Sequence, residues 1–254
     1  MPVLSLAEVD TGRLIYATGS LILLSIVGLI GVYWKRKRRR AFRRMAGPLG
    51  LELMNEDLGQ LGLDLGMIES YSRGWSQEVL LAMRGSIGTR DVIALDFHYR
   101  EQTRSAYLDY YFSGCIFLLK SSFPYMLIRP EVTRDTVAAA VGFEDIDFES
   151  DEFSRQFYVQ SPEPEFAYDV CNPLMMEWLL GNPDWKLEFG GCFLSVTDGN
   201  RITRWSLTEF RKALSAGCEF LDRIPDFVWT KHNGQRRPTV SWLSSTKDAL
   251  GTKP

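Results

Sequence analysis

Residues 14–34, LIYATGSLILLSIVGLIGVYW, carry no charge, and residues 35–44, KRKRRRAFRR, carry eight positive ones. A helix rises about 1.5 Å per residue, so the uncharged stretch covers the roughly 30 Å hydrocarbon core of a bilayer. A helix also satisfies its own backbone groups, which lipid cannot do. The stretch therefore reads as a transmembrane helix over residues 14–34, followed by a basic juxtamembrane helix over 35–47 that ends at Gly47–Pro48. A cleavable signal would place its basic residues before a shorter apolar run, and here the order is reversed. Basic residues flanking a span stay cytoplasmic, so residues 1–13 are expected outside and the rest of the chain inside. Tyr16 at one end and Tyr33–Trp34 at the other suit the two interfaces. Anionic lipid is an expected partner of Lys35, Arg36, Lys37, Arg38, Arg39, Arg40, Arg43 and Arg44.

The charge beyond the anchor has the opposite sign. The basic block contributes +8 and residues 1–34 contribute −1, so the net −3 leaves −10 for residues 45–254. A surface of that sign repels a phosphate backbone and argues against nucleic-acid binding. A hydrophobic content of 45 % and an aromatic content of 13 % are ample for one sizeable core.

The period changes to two after Gln77. Residues 78–84 and 91–99 flank GSIGTR and predict a hairpin, with Asp96 and His98 on one face of its second strand. Residues 107–120 are apolar on both faces and predict a long central strand; Ser122-Phe123-Pro124 then predicts a turn into residues 125–129. Short helices are expected over Glu56–Leu61, capped by Asn55, and over Glu131–Val141, closed by Gly142. Residues 155–160 predict a strand, residues 166–171 a helix, and Asn172–Pro173 the start of another. Residues 185–189 and 192–197 predict a second hairpin across Gly190–Gly191. Ser206 and Glu209 form a capping box, after which Leu207, Phe210, Leu214, Gly217 and Leu221 share one helical face. The fold class is α+β, with a mainly antiparallel sheet and packed helices over residues 48–230 and a disordered tail over 231–254.

Candidate chemistry is sparse. Asp96 and His98 are the most enzyme-like pair, a carboxylate placed to orient an imidazole, with no nucleophile beside them. The acidic run Glu144, Asp145, Asp147, Glu149, Asp151, Glu152 alternates with apolar residues and reads as a solvated strand face. Cys115, Cys171, Cys192 and Cys218 form no CxxC pair and read as buried reduced thiols. Met175, Met176, Trp178, Leu179 and Leu180 read as core. No residue is assigned a catalytic, cofactor-binding or metal-ligating role.

Several stretches resemble a family of uncharacterised, largely actinobacterial, membrane-anchored proteins. They are Ala94–Tyr99, Ile146–Ser150, Glu152–Phe157, Phe166–Val170, Pro173–Leu180 and Pro225–Trp229. The resemblance implies a bacterial inner-membrane protein and supplies no active-site residues. The resulting expectation is a single-pass protein whose acidic cytoplasmic domain is a tethered interaction or regulatory module. The alternative is a membrane-held enzyme, or a small-ligand or lipid-headgroup binder, using the Asp96/His98 strand face. A reporter fused after Pro254 checks the orientation: a cytoplasm-active reporter is expected to work there, and activity of a periplasm-only reporter overturns it.

Overall fold

The computed structural model describes residues 11–54, 65–131, 146–199 and 202–232. The chain divides into two compact units, Met1–Arg44 and Met45–Pro254. The helices expected over Glu56–Leu61 and Glu131–Val141 and nearly all of the tail fall outside the described residues.

Helix α1, Thr11–Leu49, holds the anchor stretch. It is long and apolar enough to cross a membrane, and none of its most apolar window is buried in the protein. The hydroxyls of Ser20 and Ser25 donate to the carbonyls of Tyr16 and Leu21, which keeps both polar groups satisfied within the helix. The helix does not stop at Gly47–Pro48 as expected but includes Pro48 in its last turn. Gly50, at φ 69°, terminates it by donating its N–H to the Gly47 carbonyl at 3.0 Å.

The second unit is built on one six-stranded antiparallel sheet, in agreement with the α+β expectation. Strand β1 (Leu51–Leu53) pairs with β2 (Trp75–Ile87), β2 with β3 (Arg90–Gln102), and β3 with β4 (Tyr107–Pro130). Ile87 opposes Arg90 across a two-residue turn in which Gly88, at φ 60°, supplies the left-handed conformation that such a turn requires. Helix α3 (Asp151–Gln156) leads into β5 (Phe157–Gln160), which pairs with the end of β4. Helices α4 (Pro164–Val170) and α5 (Pro173–Leu180) follow, then β6 (Trp185–Asp198), which runs along β4. Helices α6 (Leu207–Arg223) and α7 (Asp226–Lys231) close the unit.

Two expected turns are bends inside continuous strands. Ser122–Pro124 lies within β4, and Gly190–Gly191 lies within β6, so the second hairpin does not exist. The reason is that Phe123 opposes Gly191, with the register irregular on both sides of that pair. Gly191 takes φ 58°, and both strands bend together at this point. Pro124 sits between the ladder pairs at Phe123 and Met126, where its missing N–H interrupts least. The strand expected over 155–160 begins only at Phe157. Arg155 and Gln156, with Asp151 and Glu152 of the acidic run expected on a strand face, lie in α3, because the Ser150 hydroxyl caps the Phe153 N–H and Asp151 and Glu152 occupy the first turn.

Each face of the sheet is covered. On one side Tyr71, from the short helix α2 (Glu69–Ser72) that precedes β2, packs on Phe97 and Phe112 within a cluster that includes Ile68, Ile93, Leu95 and Ile116. On the other side α6 buries Phe210, Leu214, Gly217 and Leu221, the face read from its sequence, and its capping box at Ser206 and Glu209 is formed. Met175, Trp178 and Leu179 of α5 are buried as expected. A Cβ built on Gly217 would stand 2.2 Å from the Phe117 ring, so α6 and β4 meet there with no room for a methyl group. Gly217→Ala is expected to lower stability by about 1–3 kcal/mol from overpacking, despite the helix-propensity gain. Gly181→Ala, where the nearest atom is 3.5 Å away, is the matched control. Thermal unfolding of the two variants decides it.

Candidate functional site

Asp96 and His98 stand two apart on β3, and the structure sends them to different partners. Asp96 is fully buried. The Ser113 hydroxyl, directly opposite on β4, donates to its Oδ1 at 2.5 Å, and Arg204 Nε lies 3.7 Å from its Oδ2. Ser113 also binds the segment that follows β6: its N–H donates to the Thr203 carbonyl at 3.0 Å, and its Oγ accepts from the Trp205 N–H at 2.9 Å. The buried carboxylate thus fixes a strap over residues 203–205 to the sheet.

His98 does find a carboxylate, but it is Asp109 of β4, at 2.8 Å from Nε2. Arg100 holds the same carboxylate through Nε at 2.8 Å and Nη2 at 3.2 Å. Hydrogen bonds from Arg100 and then His98 hold the Asp109 carboxyl below its ordinary range. Asp109 was missed in the sequence because its position depends on the hairpin register. Gln102 opposes Tyr107, which sets Asp109 opposite Arg100 and one step diagonal to His98.

This end of the sheet carries an exposed aromatic and cationic surface. Trp75 is 47 %, Tyr107 60 % and Tyr111 42 % exposed. Trp75 meets Tyr107 edge to face at 5.8 Å, and the Arg100 guanidinium lies 5.3 Å from the Trp75 ring. Tyr111 is flanked by the His98 ring at 4.6 Å and the Arg204 guanidinium at 4.5 Å. The backbone is shaped to present Trp75. Gly74 and Ser76 both take positive φ, 64° and 56°, and the β2–β3 register shifts between Trp75 and Glu78. A serine in that region costs energy that the surrounding structure must offset. A Cβ on Gly74 would fall 2.3 Å from the Arg100 carbonyl oxygen, so only glycine fits against β3 there.

The opposite face holds a buried charge network with no local sequence signature. Glu188 of β6 is fully buried and accepts from the Ser70 N–H at 3.3 Å and from the Ser70 hydroxyl. Lys186 Nζ lies 3.5 Å from Glu188 and 3.4 Å from Glu69, and Arg73 pairs with Glu69. Two carboxylates and two cations therefore tie α2 to β6. Burial alone would raise the Glu69 carboxyl, but Lys186 and Arg73 outweigh it and hold it below the ordinary range. Burial, reinforced by Glu188 and Glu69, pushes the Tyr125 hydroxyl well above its usual value.

The remaining candidates resolve simply. Cys115, Cys171 and Cys218 are buried free thiols, and burial pushes Cys218 up to about 11 while Arg90 pulls it back in part. Cys192, expected to be buried, is exposed because it follows the bend at Gly191. Among the described residues no group of three His, Cys, Asp or Glu side chains could hold a metal ion. Glu144 and Asp145 of the acidic run lie outside them.

No family model and no curated protein matches the chain. Among solved structures it is similar to the mycobacterial trehalose monomycolate transport factor A, with 11 % identity and a TM-score of 0.51. The likeness covers 73 % of this chain and 95 % of that one, and it shows a shared fold.

Because the folded Glu69 carboxyl is held low, its contribution to stability is full above its unfolded value, near 4.5, and is lost as pH falls through the folded value. Glu69→Gln is expected to cost about 1–3 kcal/mol at pH 7 and much less at pH 3. Thermal unfolding of both forms across that range checks the sign: a deficit that grows toward acid pH would contradict it.

Proposed function

We propose that the chain is a membrane-tethered interaction module, held in the bilayer by α1 with its N-terminus outside and presenting the α+β unit to a cytoplasmic protein partner. The observation that carries this reading is the exposed Trp75, Tyr107, Tyr111, Arg100 and Arg204 surface. Tryptophan, tyrosine and arginine are the side chains that dominate binding energy at protein interfaces. A strained bulge that holds a tryptophan out of the core is a further sign of use, since bulges re-aim side chains at functional edges. The span requirement is met by α1, whose apolar surface nothing in the described structure covers. A protein of the same fold is named a transport factor, which accords with an accessory role.

The enzyme reading draws less support from the same geometry. Asp96 is sealed between Ser113 and the strap, where a substrate does not reach it. The His98–Asp109 pair, a buried imidazole against a partly exposed carboxylate, is the one observation that favours a small-ligand site.

Crosslinking in cells followed by purification of the full-length protein separates the two. A stoichiometric partner is expected, and Trp75→Ala with Tyr107→Ala is expected to reduce its recovery about tenfold or more. The melting temperature is expected to stay near that of the unmodified protein. His98→Ala is expected to leave recovery intact. Loss with His98→Ala alone would move the site to the His98–Asp109 pair.

A further inference from the structure

We infer that α1 carries a binding site for one anionic phospholipid on a defined stripe of its surface, at the junction of the apolar and basic stretches. The inference rests on α1 being a membrane span. Leu29, Val32, Tyr33, Arg36, Lys37, Arg40, Ala41 and Arg44 line one groove on the helix. At 100° per residue these positions recur every three or four residues and share one side. Lys35 and Arg38 fall on the other side, Arg39 lies at the stripe's edge beside Val32, and Arg43 falls within its arc but outside the groove lining.

Along this stripe the chemistry changes in the order that a phospholipid presents. Leu29, Val32 and Tyr33 offer apolar contact to an acyl chain, and Arg36, Lys37, Arg40 and Arg44 offer four cations to a phosphate. Arg36, Arg40 and Arg44 follow at i, i+4 and i+8, so like charges are stacked in one row and repel one another. No acidic residue occurs between Arg13 and Glu52, so no nearby residue in the sequence can neutralise that row. Lys37 also lies over the Trp34 ring at 4.8 Å, which holds its ammonium at the level where headgroups begin. Arg38, on the far side, stacks instead on Phe42 at 4.9 Å. A guanidinium row matches phosphate oxygens with paired N–H donors, where a lysine row would supply only point charge.

Topology depends on how many basic residues flank the span, whereas a lipid site depends on which face they occupy. Two charge-matched variants of the full-length protein therefore separate the ideas: Arg36→Gln/Arg40→Gln/Arg44→Gln on the stripe, and Lys35→Gln/Arg38→Gln/Arg39→Gln off it. Each is reconstituted in bilayers of equal phosphatidylglycerol and phosphatidylcholine, and retained lipid is counted by native mass spectrometry. The unmodified protein is expected to keep phosphatidylglycerol in preference. The stripe variant is expected to lose that preference by about tenfold or more, and the off-stripe variant to stay within about twofold. Equal loss in both variants, or in neither, overturns the site. Displacement by excess inorganic phosphate also overturns it, by showing that free anion rather than lipid is bound. Release of the unmodified protein from membranes by alkaline washing would defeat the anchor reading and the site with it. Retention without lipid preference defeats the site alone.

Discussion

Everything in the α+β unit depends on β4, the one strand of the described sheet that pairs with three others. Tyr107–Ser113 pairs with β3, Gly114–Leu118 lies between β3 and β6, and Leu127–Ile128 lies between β6 and β5. Where β4 is flanked by two strands and covered on both faces it has no free edge, and Cys115, Ile116, Phe117 and Ile128 there are fully buried, whereas its start at Tyr107–Tyr111 is largely solvated. The bend at Phe123, matched by Gly191 across the ladder, lets a strand this long change direction without losing its partner. One half then faces α6 through Phe117, while Phe123 meets Phe166, Phe189 and Trp229 from the helices and strand around it.

What the sequence disclosed was whatever is decided within a few residues. The Ser206–Glu209 capping box, the Asn172–Pro173 start of α5, the apolar face of α6 and a hairpin turn within GSIGTR were all legible, because each is satisfied by its own neighbours, although the turn is only Gly88–Thr89 and the strands run further into that stretch. What it concealed depends on the residue opposite. Pro124 and Gly190–Gly191 are turn signals by composition, yet they occupy facing positions and cooperate in one bend. Asp109 could not be joined to His98 without the β3–β4 register, nor Ser70 to Glu188 across 118 positions of chain. The site was visible as a region and not as a constellation. Asp96 and His98 lie at its edge, but the exposed residues Trp75, Tyr107 and Arg204 were not selected.

The two units handle charge differently. In the sheet domain the buried ions are compensated: Glu188 by Ser70 and Lys186, Arg90 by Asp222, and Asp96 by Ser113 with Arg204 alongside. Such pairs contribute register more than net stability, since desolvation offsets much of their attraction. The row of Arg36, Arg40 and Arg44 on α1 has no acidic residue near it in the sequence, and that asymmetry is what makes the row informative about its environment.

The placement of β4 also fixes an order of events during synthesis. Its partner β6 begins at Trp185 and the helix that covers it ends at Arg223, so Gly114 waits for Thr197 before its ladder is complete. Contacts of such long sequence separation are slow to form, because the intervening chain must be closed into a loop first. The hairpin of β2 and β3 can form early, but the central strand stays half-dressed until nearly all of the described chain has left the ribosome. A nascent chain already held by α1 would therefore spend that interval with an apolar strand uncovered near a lipid surface, a stage at which chaperones would have their greatest effect on yield.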